Sequence, residues 1–320
     1  MTPAAFDAVT GVVRTRLDNG LSLLVAERPD VPLVSVWSWY RVGSGDESPG
    51  QTGVSHWVEH MTFKGTELIP PAAMRGYVDR FGGMWNGYTW LDQTAYVSTA
   101  TRDVLDELLV LEAERMDGCL FDAGECESER TVILAELHGA ENDPEQVLET
   151  EVVAAALKAH PYRHPTIGWE SDLRTMTRAD LVSHYRRHYG PANATLVVAG
   201  AVHAPDVLRR VADRFDGRGK GRQTIAPLRP VDEPPPPGAR LVVIERPGSS
   251  HFVKCVCPAP AVTAHDFPAM LAADAVLSGA SGLNIWAAAG PLPPQRQSRL
   301  YRALVEPGLA ASASSVVSPT

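Results

Sequence analysis

Residues 12 to 42 alternate short β-favouring runs with turn signals: Leu21 to Val25 follows Asp18-Asn19-Gly20, and Leu33 to Tyr40 follows Pro29-Asp30. These runs predict the opening strands of a sheet. A helical pattern begins near Val54, and Met84 to Ala100 predicts strands around a turn at Trp90-Leu91-Asp92. Long helical periodicities then occupy 102–116, 124–140, 144–158 and 178–188, before a strand at 195–199. Strands and helices that do not alternate strictly predict an α+β layer, a sheet covered by helices.

The strongest boundary signal is the stretch 229–238, whose four consecutive prolines, Pro234 to Pro237, predict an extended, semi-rigid spacer. Beyond it, Leu241-Val242-Val243-Ile244-Glu245-Arg246-Pro247 echoes Leu23-Leu24-Val25-Ala26-Glu27-Arg28-Pro29 at an offset of 245 − 27 = 218 residues. The echo points to an internal repeat. The second copy is expected to be cut short, since 320 − 218 = 102 sets the chain end opposite Arg102 of the first.

Length and charge narrow the possibilities. With 320 residues, 44% hydrophobic and 21% charged, the chain has the composition of a globular protein with room for two domains. A net charge of -9 and the lack of a dense Lys/Arg block exclude nucleic acid or an anionic membrane surface as its main partner. No apolar run approaches the length of a membrane helix, and Met1 to Val9 has no basic or apolar signal core, so a cytoplasmic location is expected. Cys119, Cys126, Cys255 and Cys257 form no C-x-x-C pair and are expected to be reduced; Cys255 and Cys257 fall on a predicted strand.

Candidate chemistry centres on His56-Trp57-Val58-Glu59-His60, which reads H-x-x-E-H. On a helix His56 and His60 are neighbours on one face, able to converge on one ion, with Glu59 beside them. Val54, Trp57, Val58 and Met61 form the core-facing stripe and leave His56, Glu59, His60 and Phe63 on the other side. A peptidase zinc site needs three protein ligands and an open position. Helix 124–140 offers Glu129 and Glu136, on a face shared with 132, 133 and 140. Seven helical residues separate the two carboxylates by about 10 Å, so one at most binds directly, and spacing leaves open which. His160 and His164, in a Pro-rich loop, are not read as ligands.

Several motifs resemble the pitrilysin and mitochondrial-processing-peptidase family of inverted-motif zinc peptidases: Arg16-Leu17-Asp18-Asn19-Gly20-Leu21, the H-x-x-E-H run continuing into Met61-Thr62-Phe63-Lys64-Gly65-Thr66, Asn86-Gly87-Tyr88-Thr89 and Gln93-Thr94-Ala95-Tyr96. The match continues through Glu129-Arg130 to Glu136, Tyr189-Gly190-Pro191-Ala192-Asn193, and the run from Ser298 to Glu306. The resemblance implies a duplicated half-clamshell: a catalytic domain over 1–222, a linker over 223–239, and an incomplete, non-catalytic second copy over 240–320. It implies one Zn²⁺ per chain held by His56, His60 and Glu136, with Glu129 as a supporting carboxylate and Glu59 activating water. It also implies a peptide substrate that adds as a strand near Asn86 to Tyr96, with Asn86, Tyr88 and Thr89 as substrate-binding residues. A homo- or heterodimer would complete the chamber. The family's substrate-binding Arg and Tyr from the second half find no matching positions, and 279–297 is longer than the family spacing leads one to expect. The alternative is a non-catalytic structural or peptide-binding partner, but such relatives usually lose zinc ligands that are present here.

Overall fold

A computed structural model describes residues 2, 4–7, 9–219, 231–279 and 295–317. The chain divides into two compact units, Met1–Lys254 and Cys255–Thr320. Residues 240–254, expected with the second domain, are grouped with the first unit, and most of the expected linker's first half lies outside the described residues.

The first unit is built on one seven-stranded sheet in the order β1-β2-β3-β7-β4-β6-β5. Its strands are β1 (Ala5–Asp7), β2 (Val12–Arg16), β3 (Ser22–Glu27), β4 (Leu33–Tyr40), β5 (Met84–Thr89), β6 (Thr94–Thr101) and β7 (Ala194–Gly200). The last strand in sequence enters the middle, parallel to β3 and antiparallel to β4. Alternation sets the faces. In β4, Val34, Val36, Ser38 and Tyr40 are buried, whereas Ser35, Trp37 and Trp39 on the opposite face are half-buried.

The helices are α1 (Val54–Met61), α2 (Pro71–Met74), α3 (Leu105–Asp117), α4 (Ala123–Ala140), α5 (Pro144–Ala156), α6 (Glu170–Thr175), α7 (Arg178–His188) and α8 (Ala204–Phe215). Their starts follow local capping chemistry: Asp122 accepts from the Gly124 and Glu125 N–H groups, Asp143 from those of Glu145 and Gln146, and Thr177 forms a capping box with Asp180. Leu105, Leu108 and Leu109 of α3 join Val36 and Tyr96 in the core, and Val207, Val211 and Phe215 of α8 join Leu23 and Val25. α1 packs between β5, α4 and α7, so the H-x-x-E-H motif sits at the β5 edge of the sheet.

Residues 231–254 form neither helix nor strand. The Glu233 carboxylate there accepts the N–H groups of Lys158 at 2.7 Å and of Ala159 and His160 at 2.8 Å each. The echo of β3 over 241–247 therefore has strand-like sequence but no strand pairing, and Cys255 and Cys257 are likewise not in a strand. A strand requires a neighbouring backbone, which a sequence repeat alone does not supply. The described part of the second unit contains α9 (Phe267–Ser278), whose Asp274 accepts a 2.5 Å hydrogen bond from Ser315 Oγ, and a π-helical turn at Tyr301–Val305. Most of the long stretch 279–297 lies outside the described residues. Among the described residues no helix is long and apolar enough to cross a membrane.

Candidate metal centre

The four apolar positions of α1 are each at most 1% exposed, which fixes the rotation of the helix and turns both histidines the same way. The Nε2 atoms of His56 and His60 lie 3.2 Å apart. Across from them, α4 brings Glu136 Oε2 to 3.9 Å from His56 Nε2 and 3.8 Å from His60 Nε2. These three atoms form a triangle with sides of 3.2, 3.8 and 3.9 Å. Two donors at zinc-bond length in a tetrahedral shell are about 3.3 Å apart, so the triangle has the size that one ion requires.

The donor chemistry also fits. Burial, helped by the neighbouring His60, pushes His56 down to about 3, so its imidazole is neutral and offers a lone pair at ordinary pH. His60 Nδ1 lies 3.0 Å from Glu129 Oε2, a hydrogen bond in which the imidazole N–H donates and the lone pair is left on Nε2. The other Glu129 oxygen is in an ion pair with Lys64 Nζ. Burial alone would raise the Glu129 carboxyl, but hydrogen bonds from Lys64 and His60 outweigh it and hold the group below the usual range. Two imidazoles and a glutamate make the His₂Glu set of open catalytic zinc sites.

Glu59 completes the cluster. Its ligand-type oxygen lies within 4.8 Å of those of His56 and His60, yet the residue is only 7% exposed. The sequence pattern turns Glu59 away from the core; β5 covers that second face. The backbone of Gly87 passes so close that a Cβ there would stand 2.7 Å from Glu59 Oε1. Burial is the main cause that raises Glu59 to about 7, opposed by His60 and reinforced by Glu136. Glu59 and Glu136 are thus both near the histidines, but only Glu136 reaches from a different element with half its side chain exposed.

Along β5, Trp85, Gly87 and Thr89 face α1: Trp85 packs on Phe63, and the Thr89 side chain hydrogen-bonds Glu59. Asn86 and Tyr88 alternate onto the opposite face, where Tyr88 meets Trp39 edge-on and Asn86 Oδ1 accepts its neighbour Gly87's N–H. Of the three residues expected to touch substrate, Thr89 alone has its side chain at the cluster. In α4 the buried stripe runs through Cys126, Glu129 and Ile133, while Val132, expected beside them, is 46% exposed. Lys64 was not among the expected site residues; its place four positions after His60 was the available signal.

The family model described as Insulinase (Peptidase family M16) matches residues 23–169, which include both histidines and all three glutamates. The one described as Peptidase M16 inactive domain matches 175–320. The chain belongs to peptidase family M16.

Among M16 relatives, an uncharacterized zinc protease of Mycobacterium leprae is 33% identical over 223 residues, 68% of this chain and 49% of that protein. The zinc protease PqqE of Helicobacter pylori is 30% identical over 234 residues, 72% of this chain and 53% of the relative. Bovine mitochondrial cytochrome b-c1 complex subunit 1 is 30% identical over 213 residues, 67% of this chain and 44% of that protein. The matches thus span about half the length of these relatives. A crystal structure of a protease from Helicobacter pylori superposes with a TM-score of 0.80 at 26% identity, covering 93% of this chain and 69% of the other. The sheet with its helices is therefore a half of the M16 clamshell.

Proposed function

We propose that this M16 chain is a zinc-dependent endopeptidase that cleaves peptides or unfolded polypeptide segments, with His56, His60 and Glu136 as metal ligands and Glu59 as general base. The observation that carries this reading is the triangle of His56 Nε2, His60 Nε2 and Glu136 Oε2, closed on one side by a nearly buried Glu59.

When bound, Zn²⁺ supplies Lewis acidity to a water and to the scissile carbonyl. The Glu59 carboxylate accepts the proton of the attacking water and passes it to the leaving amine; a carboxyl raised by burial suits both transfers near neutral pH. Thr89 stands beside Glu59. Glu129 orients His60 through Nδ1, and Lys64 holds Glu129. β5 is the outermost strand beside α1, so its free edge can take an extended peptide by backbone pairing, which reads little side-chain information. A dimer with a homologous chain would close over that edge.

The proposal is tested by metal analysis and peptide cleavage on wild type and Glu59→Gln. One zinc per chain, chelator-sensitive cleavage, and loss of cleavage in the variant by at least about a hundredfold with zinc retained are expected. Equal cleavage by the variant, or a wild type without zinc, would overturn the assignment. Zinc without cleavage would favour the non-catalytic partner.

A further inference from the structure

Helix α1 has no cap of its own. Its N-cap is Gly53, held at φ 87 and without a side chain to accept the first N–H groups. The missing acceptor comes from upstream. Glu47, whose side chain is 0% exposed, accepts the Gly53 N–H on Oε2 at 2.7 Å and the Ser55 N–H on Oε1 at 2.8 Å.

The same turn is held from other sides. Thr52 donates its N–H and hydroxyl to Asp172 Oδ2 at 3.1 and 2.7 Å. Ser55 Oγ donates to the Gly43 carbonyl at 3.0 Å and lies 3.2 Å from His184 Nε2. A Cβ on Gly53 would stand 2.3 Å from the Ile167 carbonyl oxygen, so the loop carrying His164 presses against the helix start. His164 itself has Nδ1 3.7 Å from Glu47 Oε2.

We infer that Glu47 is a positioning residue for the metal centre: its two side-chain oxygens fix the first turn of α1 and thereby the place of His56, the residue that follows Ser55. The inference rests on the proposed function for its catalytic consequence, though the geometry of the clamp stands on its own. A carboxyl suits the task because each of its two oxygens takes one converging N–H. A glutamine of the same shape offers one oxygen and turns an NH₂ toward the other donor, so one of the two N–H groups loses its partner. The displaced turn would carry His56 away from His60 and Glu136 while the core stripe of α1 stays in place.

The experiment compares full-length wild type, Glu47→Gln and Glu47→Asp, each stripped and reloaded with Co²⁺ or Zn²⁺, with amide exchange on the stripped proteins. For Glu47→Gln the expected results are an altered Co²⁺ visible spectrum, metal affinity weaker by about tenfold, and kcat per loaded site lower by about tenfold at a KM within twofold. Faster exchange should be confined to the amides of 53–56. Spectrum, affinity, kcat per loaded site and exchange all equal to wild type would overturn the inference, even if Tm fell. If Glu47→Gln does not fold, Glu47→Asp is expected to shift the same readouts in the same direction by a smaller factor, and unchanged values there overturn it. A wild type that binds no metal would defeat the proposed function, while amide exchange would still decide the role of Glu47.

Discussion

At the scale of single residues, the centre is organised by what stands behind each proposed ligand. His60 has a complete support: Nδ1 to Glu129, and Glu129 to Lys64. His56 has a buried Nδ1 without a hydrogen-bond partner among the described residues and relies on the position of the helix itself. This asymmetry places the sensitivity of metal binding on Glu129 from one side and on the helix start from the other. Glu129→Gln should weaken zinc binding by about 10- to 100-fold while leaving the fold intact, as measured by competition with a chromophoric chelator. An unchanged affinity would remove Glu129 from the centre. His56, Glu59 and His60 were legible because three chemistry-bearing residues fall within five positions of one helix. The division of labour between Glu129 and Glu136 was legible only in part. Helix rise separates them, but which of them meets Nδ1 and which meets the Nε2 pair depends on how α4 crosses α1.

At the scale of elements, α1 packs on β5 and on α7, which carries His184 and His188, while His164 stands beside Glu47 upstream of the helix. Burial pushes His188 down to about 4 and lowers His184 and His164 as well. In the unfolded chain these imidazoles take up protons near pH 6.5, whereas the folded state keeps them neutral. The unfolded state therefore binds more protons as pH falls from about 6.5 toward 4, and their contribution to stability, fully present above 6.5, is lost in that window. Glu47, pushed up to about 8, and Glu59, raised to about 7, act with the opposite sign between about 4.5 and 8, so the comparison must isolate one histidine. His188→Gln should reduce the drop in Tm between pH 6.5 and 4 by roughly 5 to 10 °C relative to wild type. Parallel Tm curves for the two proteins would contradict the burial of a neutral His188.

The elements themselves were largely readable. β4 and α7 begin and end where the β-favouring run Leu33 to Tyr40 and the helical periodicity over 178–188 place them. Two features escaped the sequence for physical reasons. The apolar stripe of α1 left the surroundings of its other face unspecified; β5 covers Glu59 there, and no local pattern announces a covering strand from 25 or more residues away. Leu241 to Ile244 has strand composition and no ladder, since pairing depends on a partner that composition does not name.

For the whole molecule, the strand order could not be read along the chain. β7 is drawn from the far end of the first unit into the sheet centre between β3 and β4, a choice made by its doubly flanked, apolar run of Leu196 to Ala199. The placement matters for chemistry, because it leaves β5 at the edge, where α1 brings its histidines. The contact of the expected linker, through Glu233 on the N–H groups of 158–160, is a second feature that neither proline content nor the repeat suggested. The central claim remains that α1 and α4 together hold one metal ion. Its most direct measurement is an anomalous-difference map at the zinc edge from crystals of zinc-loaded protein. One peak about 2.0 to 2.2 Å from His56 Nε2, His60 Nε2 and a Glu136 oxygen is predicted; absence of that peak, or coordination by Glu59 in place of Glu136, would contradict the account.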